Sequence, residues 1–204
     1  MKKLFGIALA LILFIPILIY ASGVSASIQI DKNISDIMQN VADMAQKAPE
    51  KAMSSNPYDY TINNANFDNI VNLGTEALPL IRDKINKSDE NGLREYILAI
   101  AAEKIAKVDL KDDRFLWATG KDWVAIWDKH LQTIPQHVND IVSSDAANDV
   151  KVSRLVKLGT PSIPYILDHI ESGNIELAPA LEKLLEGNPS VKFETKNITD
   201  LQGW

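Results

Sequence analysis

The chain has 204 residues, no cysteine and a formal net charge of −6. The absence of cysteine excludes disulfide bonds, thiolate metal sites and thiol catalysis. The excess of acidic residues excludes nucleic acid as a favoured partner, because its phosphate groups would be repelled.

Residues 1–26 are predicted to be a signal peptide or a signal anchor. Two lysines precede an apolar run from Leu4 to Tyr20, and the next charged residue is Asp31, which is the layout of an export signal. Small residues favour cleavage after Ala26. The alternative is an uncleaved membrane tether, since the apolar run is close to the lower limit of about 17 residues for a membrane span. Both alternatives predict a secreted or extracytoplasmic domain.

Residues 27–62 are predicted to form an N-terminal amphipathic helix followed by a turn region. The helix is expected from about 33 to 48, where apolar residues recur at steps of three and four: Ile34, Ile37, Met38, Val41, Met44 and Ala45. This face is predicted to cap the following domain, with docking on a partner as the alternative. The segment 54–66 reads as an ordered turn or a linker.

An internal repeat dominates the rest of the chain. Residues 70–81 (IVNLGTEALPLI) match residues 155–166 (LVKLGTPSIPYI) at a constant offset of 85. After a short gap, four residues match again, with Leu98, Ala99, Glu103 and Lys104 on Leu177, Ala178, Glu182 and Lys183. Each copy predicts a helix ended by glycine, a turn, a second helix with proline in its first turn, and a third helix.

These residues resemble the HEAT repeat, in the short bacterial form also seen in phycobilisome-lyase-like proteins. The pattern is Leu-Gly followed by Ala/Ser-Leu/Ile-Pro and an amphipathic helix, and it covers 67–107 and 152–187. The segment Asn56–Tyr60 (NPYDY) is similar to one found in small exported bacterial proteins. The resemblance implies an all-α fold, a short solenoid of antiparallel helix pairs over 63–187, which mostly binds other proteins. The tail 188–204 is predicted to be a cap or a loose end.

The segment 108–150 between the copies is interpreted as a divergent middle unit. It contains a tryptophan cluster, Trp117, Trp123 and Trp127, which is a candidate partner-binding patch. The alternative is that these indoles fill the core, as large aromatic residues at helical spacing usually do. Pro135 is expected to break or kink the helix that follows them.

No catalytic, cofactor-binding or metal-ligating residue is predicted. His130, His137 and His169 lack the spacing of a zinc helix. Glu103 and Glu182 are a tempting catalytic pair, but their repeat equivalence predicts the same surface role in both copies rather than complementary acid and base roles.

The leading functional hypothesis is therefore an exported, non-catalytic binding module that needs no cofactor. Its partner would be a protein or a cell-envelope polymer, with a membrane tether through residues 4–20 if the signal is uncleaved. Two alternatives stay open. One is a cell-envelope hydrolase or lyase that uses carboxylates such as Glu103 or Asp128, and the other is a structural spacer.

Overall fold

The computed structural model describes residues 2–47, 54–111 and 116–186, with side chains from residue 24 onward. These residues form helices and no β-strand, so the predicted all-α class is confirmed. The predicted tail 188–204 and the side chains of the export signal lie outside this description. Within the part described at side-chain level, no helix is long and apolar enough to cross a membrane.

The chain divides into two compact units. The first comprises Met1–Ile105 and Leu110–Trp127, and the second comprises Ala106–Asp109 and Asp128–Trp204. The first six elements in chain order are α1 (Lys2–Lys47), a 3-10 helix (Pro57–Tyr60), α2 (Ala65–Val71), α3 (Ala77–Lys87), α4 (Leu93–Ala106) and α5 (Gly120–Ser143). They are followed by α6 (Asn148–Val156), a 3-10 helix (Thr160–Ser162), α7 (Ile163–Glu171), a 3-10 helix (Ile175–Leu177) and α8 (Ala178–Leu185).

Helix α1 is much longer than the sequence predicts. It begins at Lys2 instead of near residue 33 and runs through the predicted cleavage site without a break. Its packing against α2 and α3 buries Ile30, Ile34 and Ile37 almost completely. Beyond them the predicted apolar face becomes exposed, and Met44 is 46% accessible. The apolar face of this helix is therefore buried only in its middle portion, and its role as a cap stays a prediction.

A partly buried polar contact accompanies this packing. Asn33 accepts a hydrogen bond from the Asn69 side-chain amide of α2 over 3.1 Å, and its own amide donates to the Gln29 carbonyl over 2.8 Å. Lys84 of α3 pairs with Asp31 over 2.6 Å. The Asn33–Asn69 hydrogen bond joins α1 to α2, and the Lys84–Asp31 ion pair joins α1 to α3. These two contacts therefore help to orient α1 on the helices against which it packs.

The two repeat copies have the same local backbone. In each, the glycine has a positive φ, 72° for Gly74 and 76° for Gly159, and its N–H donates to the carbonyl three residues earlier, over 3.1 and 3.0 Å. Proline then lies in the first turn of α3 and of α7. The third helix predicted in each copy is also present, as α4 in the first copy and as the 3-10 helix Ile175–Leu177 followed by α8 in the second.

The second unit has a core drawn from four α-helices and one 3-10 helix. Its buried residues are Ile134, Val138, Val152, Leu155, Ile166, Ile170, Leu177, Ala180, Leu181 and Leu184. Nearly all recur at helical spacing, because each helix is apolar on the side that faces its neighbours. Helical spacing in the second repeat copy predicts a set of inward side chains, all found in this core or packed against it: Ile163, Ile166, Leu167, Ile170, Leu177, Leu181, Leu184 and Leu185.

Pro135 does not break the helix, because α5 continues from Gly120 to Ser143, and the predicted alternative of a kink stays a prediction. A proline inside a helix removes one backbone hydrogen bond. Here Ile134 and Val138, on both sides of the proline, are buried in the core of the second unit, and the Thr133 hydroxyl donates to the carbonyls of Lys129 and His130 over 3.1 Å. Packing on both sides of Pro135 thus holds the helix together.

Candidate functional site

The tryptophan cluster proposed for partner binding lies in the interior of the protein. Trp117, Trp123 and Trp127 are 2%, 0% and 3% exposed. This burial agrees with the core alternative. A partner-binding role for these indoles stays a prediction, and it would require that the side chains first be uncovered.

Trp123 and Trp127 form one part of the cluster on the first turns of α5. Their rings stack with centroids 5.4 Å apart and an interplanar angle of 15°. The indole N–H of Trp123 is buried without a hydrogen-bond partner. Trp123 therefore contributes apolar volume to the core and no polar contact.

Trp117 belongs to a different environment. Its indole N–H donates to the Glu103 carboxylate over 2.8 Å, and the same oxygen accepts the backbone N–H of Leu110 over 3.3 Å. Glu103 is 9% exposed, so the surface position expected from its repeat equivalence with Glu182 is wrong. The carboxylate instead binds the loop that follows α4.

Lys111 extends from that loop into a group of aromatic rings. Its ammonium nitrogen lies 3.9 Å from the Trp117 ring centroid, 4.6 Å from that of Tyr96 and 5.1 Å from that of Tyr58. It also donates a hydrogen bond to the Tyr96 hydroxyl. We call Tyr58, Tyr96 and Trp117 the aromatic cage. Distances below about 6 Å place the cation within favourable range of all three rings.

The segment Asn56–Tyr60 positions one wall of this cage. The Asn56 side chain accepts the backbone N–H of Tyr58 over 3.2 Å, which starts a 3-10 helix with Pro57 in its first turn. The Tyr60 hydroxyl donates to the Ser54 carbonyl over 3.0 Å. The short helix therefore fixes the backbone of Tyr58, whose side chain is 37% exposed at the edge of the cage.

The electrostatics of the cage keep its lysine charged and its Tyr58 phenol protonated at neutral pH. Burial acts to lower the pKa of Lys111, but its hydrogen bond to Tyr96 and the attraction of the tyrosine oxygens outweigh burial and raise it above the ordinary value. Burial raises the pKa of Tyr58, and the nearby lysine offsets this only in part. Lys111 is therefore a cation at neutral pH and not a nucleophilic amine.

Replacing Trp117 by phenylalanine is expected to destabilise the protein more than the same change at Trp123. Both substitutions shrink a buried ring, but only Trp117→Phe removes a hydrogen bond to a buried carboxylate, which costs about 2 kcal/mol. For Trp123→Phe we expect a loss of about 1 kcal/mol or less. Urea denaturation followed by circular dichroism measures both. Equal losses would show that the Trp117–Glu103 hydrogen bond contributes little.

The three histidines belong to the second unit. The His130 ring Nε2 lies 2.9 Å from the Leu158 carbonyl, and that of His169 lies 2.8 Å from the Asn139 side-chain oxygen, while His137 is exposed. Within residues 24–47, 54–111 and 116–186, no group of three or more histidine and carboxylate side chains could hold a metal ion.

His130 is expected to make the stability of the protein sensitive to mild acid. Burial lowers its pKa, its hydrogen bond to Leu158 partly opposes this, and nearby His137 lowers it further. The unfolded chain therefore binds a proton more readily than the folded one, so the contribution of His130 is present above about pH 6.5 and is lost as the pH falls through the lowered folded pKa.

Denaturation at a series of pH values checks this expectation. His130→Gln is expected to flatten the pH dependence of the free energy of unfolding near and below about pH 6.5. The exposed His137→Gln is the matched control, and it is expected to keep most of the slope. An unchanged slope in His130→Gln would contradict the assignment.

Sequence reasoning missed the cage as a site. It identified Trp117, and it noticed the NPYDY segment, but it had no reason to join them to Tyr96 and Lys111. The four residues come from a 3-10 helix, an α-helix and two positions outside the helices, and no spacing pattern connects them. The only available signal was the combination of tyrosines and a lysine next to predicted turns. Comparison with protein-family models, with curated proteins and with solved structures gives no match for this chain.

Proposed function

We propose that the protein is an exported binding module without catalytic activity, and that its first unit contacts a protein or a cell-envelope polymer through the surface around Tyr58 and Lys111. One observation carries the proposal: a charged lysine is held against three aromatic rings at a partly exposed position. Aromatic rings with polar tips are common at the centres of binding interfaces.

The direction of the pKa changes favours recognition over catalysis. A general base or a nucleophile works best when its pKa lies near the working pH. The pKa values of Lys111 and Tyr58 are both raised, which moves them away from neutrality. Lys111 therefore offers a fixed positive charge and Tyr58 a neutral hydrogen-bond donor, and both suit the binding of a partner.

Export forms part of the same proposal. If the signal is uncleaved, α1 is a tether that continues directly from the apolar run into the docked residues beginning at Ile30. The ten helical steps from Tyr20 to Ile30, at about 1.5 Å each, would place the first docked residue about 15 Å from the end of the apolar run. The intact mass of the protein recovered from its native cell decides between a tether and cleavage after Ala26.

A hydrolase or lyase remains the second candidate because Glu103 is a buried carboxylate beside an indole. In this arrangement the carboxylate already accepts hydrogen bonds from Trp117 and Leu110. Glu103→Gln would abolish turnover of an envelope substrate under this alternative. Under the binding proposal it changes stability and leaves no activity to lose.

Site-specific photo-crosslinking in the native envelope tests the proposal. A photoreactive phenylalanine derivative replaces Tyr58 in one variant and Tyr165 in the control, since both tyrosines are 37% exposed. We expect adducts from position 58 and few adducts from position 165. Equal adducts from both positions, or none from either, would contradict a binding surface at Tyr58.

A further inference from the structure

We propose that the aromatic cage is a binding site for alkylammonium groups and that Lys111 occupies it as an internal competitor. The inference rests on the proposed binding function and names the chemical class that the surface recognises. Such a ligand carries a quaternary or methylated ammonium, as methylated lysine side chains and choline headgroups do.

The geometry of the cage fits a cation enclosed on several sides. The Tyr58 and Tyr96 rings meet at 84° with centroids 6.5 Å apart, and the Tyr96 and Trp117 rings meet at 48° with centroids 4.5 Å apart. Rings at these angles present their faces to a common point instead of stacking on each other. The ammonium of Lys111 lies at this point, within about 6 Å of each centroid.

The walls of the cage are held by contacts that do not involve Lys111. The Trp117 indole is fixed by its hydrogen bond to Glu103, and the backbone of Tyr58 is fixed by Asn56. Tyr96 lies on α4, whose first turn is held by Glu95 accepting the backbone N–H of Gly92 over 2.9 Å. The cage is therefore expected to persist when the lysine leaves, and a preformed site binds with less entropic cost.

Lys111 and an external ammonium compete for the same rings. Lys111 is only half-buried, so its charged end can return to water while its stem pivots. A tethered group acts at an effective concentration in the millimolar range or above. A free alkylammonium must exceed this to displace the lysine, which makes binding to the wild-type protein weaker than binding to a variant without the lysine.

A titration with tetramethylammonium chloride tests the proposal, with the Trp117 indole N–H resonance as the signal. Trp117→Phe assigns that resonance. We expect a saturable shift in Lys111→Ala and an apparent affinity at least about tenfold weaker in the wild type. Sodium chloride at equal ionic strength and tert-butanol, which has a similar shape without charge, are expected to give no saturable shift.

Two further variants make the result decisive. Lys111→Ala combined with Tyr58→Ala is expected to lose saturation, because one wall of the cage is gone. Lys111→Gln replaces Lys111→Ala in the titration if the alanine variant does not fold. The proposal is overturned if folded Lys111→Ala responds to tetramethylammonium and to sodium chloride alike, or if it binds no better than the wild type. It is also overturned if both single variants unfold, because displacement of the lysine would then unfold the protein.

Competition then identifies the source of the ammonium. Trimethyl-lysine amide and phosphocholine are each added to the Lys111→Ala complex with tetramethylammonium, and at least one is expected to displace it. Displacement by neither would overturn the assignment of ligand class. If crosslinking from position 58 persists while tetramethylammonium fails to bind, the binding function stands and only the ammonium class is wrong. If crosslinking fails as well, the proposed function is also wrong.

Discussion

Gly159→Ala is expected to lower the free energy of unfolding by about 3 kcal/mol or more, because one added methyl group brings both backbone strain and steric overlap. The glycine has φ 76° and ψ −179°, a region that side-chain-bearing residues almost never adopt. A β-carbon there would lie 2.5 Å from the Ala106 carbonyl oxygen and 3.1 Å from the Val108 side chain. The two costs therefore add.

The overlap cannot be relieved easily, because the segment 106–109 is anchored within the second unit. The Lys107 ammonium donates to the carbonyls of Lys183 and Glu186 at the end of α8, over 3.2 and 2.5 Å. Such a contact satisfies carbonyls that lack a helical partner. Movement of Ala106 away from the new methyl group would weaken it.

The repeat supplies the matched control for this prediction. Gly74 is the equivalent residue and has φ 72°, but a β-carbon at Gly74 would meet no atom within 4 Å. Gly74→Ala is therefore expected to cost only the conformational term, about 1–2 kcal/mol. Urea denaturation of both variants gives the comparison. Equal losses would show that the close approach to Ala106 is relieved by a small backbone shift.

Glu95→Ala is expected to destabilise the first unit by about 3 kcal/mol. Its carboxylate is fully buried and accepts hydrogen bonds from the Ser88 hydroxyl over 2.9 Å, the Gly92 N–H over 2.9 Å and the Arg94 guanidinium over 3.1 Å. Removing it leaves three donors without this acceptor and uncaps the first turn of α4. Glu90→Gln is the control, since Glu90 is an exposed carboxylate in the loop between α3 and α4.

The same carboxylate is expected to make the first unit sensitive to acid. Burial acts to raise the pKa of Glu95, but the hydrogen bonds from Gly92, Ser88 and Arg94 outweigh burial and lower it. The unfolded chain therefore takes up a proton first, so the contribution is present above about pH 4.5 and is lost as the pH falls through the lowered folded pKa. Glu95→Gln should weaken this acid-dependent loss, and a pH dependence identical to that of the wild type would contradict it.

Much of the local structure follows from the sequence alone. The match at an offset of 85 residues predicts two helix–glycine–turn–proline units, and the positive φ angles of Gly74 and Gly159 bear this out. The inward faces of α3 and α8 also follow from spacing, because Leu78, Ile81 and Leu181 recur at helical intervals and are buried. Assembly of these helices into a HEAT-like solenoid stays a prediction from the resemblance.

Only the tertiary structure decides the features that depend on distant residues. The sequence leaves open whether the tryptophans face inward, because burial depends on which helices pack over them. It misplaces Glu103 on the surface, since nothing local reveals that Trp117, fourteen residues later, donates to its carboxylate. It also predicts a break or a kink at Pro135, and the helix continues there because proline propensity is local whereas the packing of Ile134 and Val138 is not.

The aromatic cage shows the same division most clearly. Local sequence determines that Asn56 and Pro57 start a short helix and that Tyr96 lies on a long one. The three rings meet around Lys111 only when the 3-10 helix that carries Tyr58, the helix α4 that carries Tyr96 and the region that carries Lys111 and Trp117 are packed together. Helices, caps and turns arise from contacts between near neighbours along the chain and are predictable for that reason, whereas the candidate site arises from contacts across the fold.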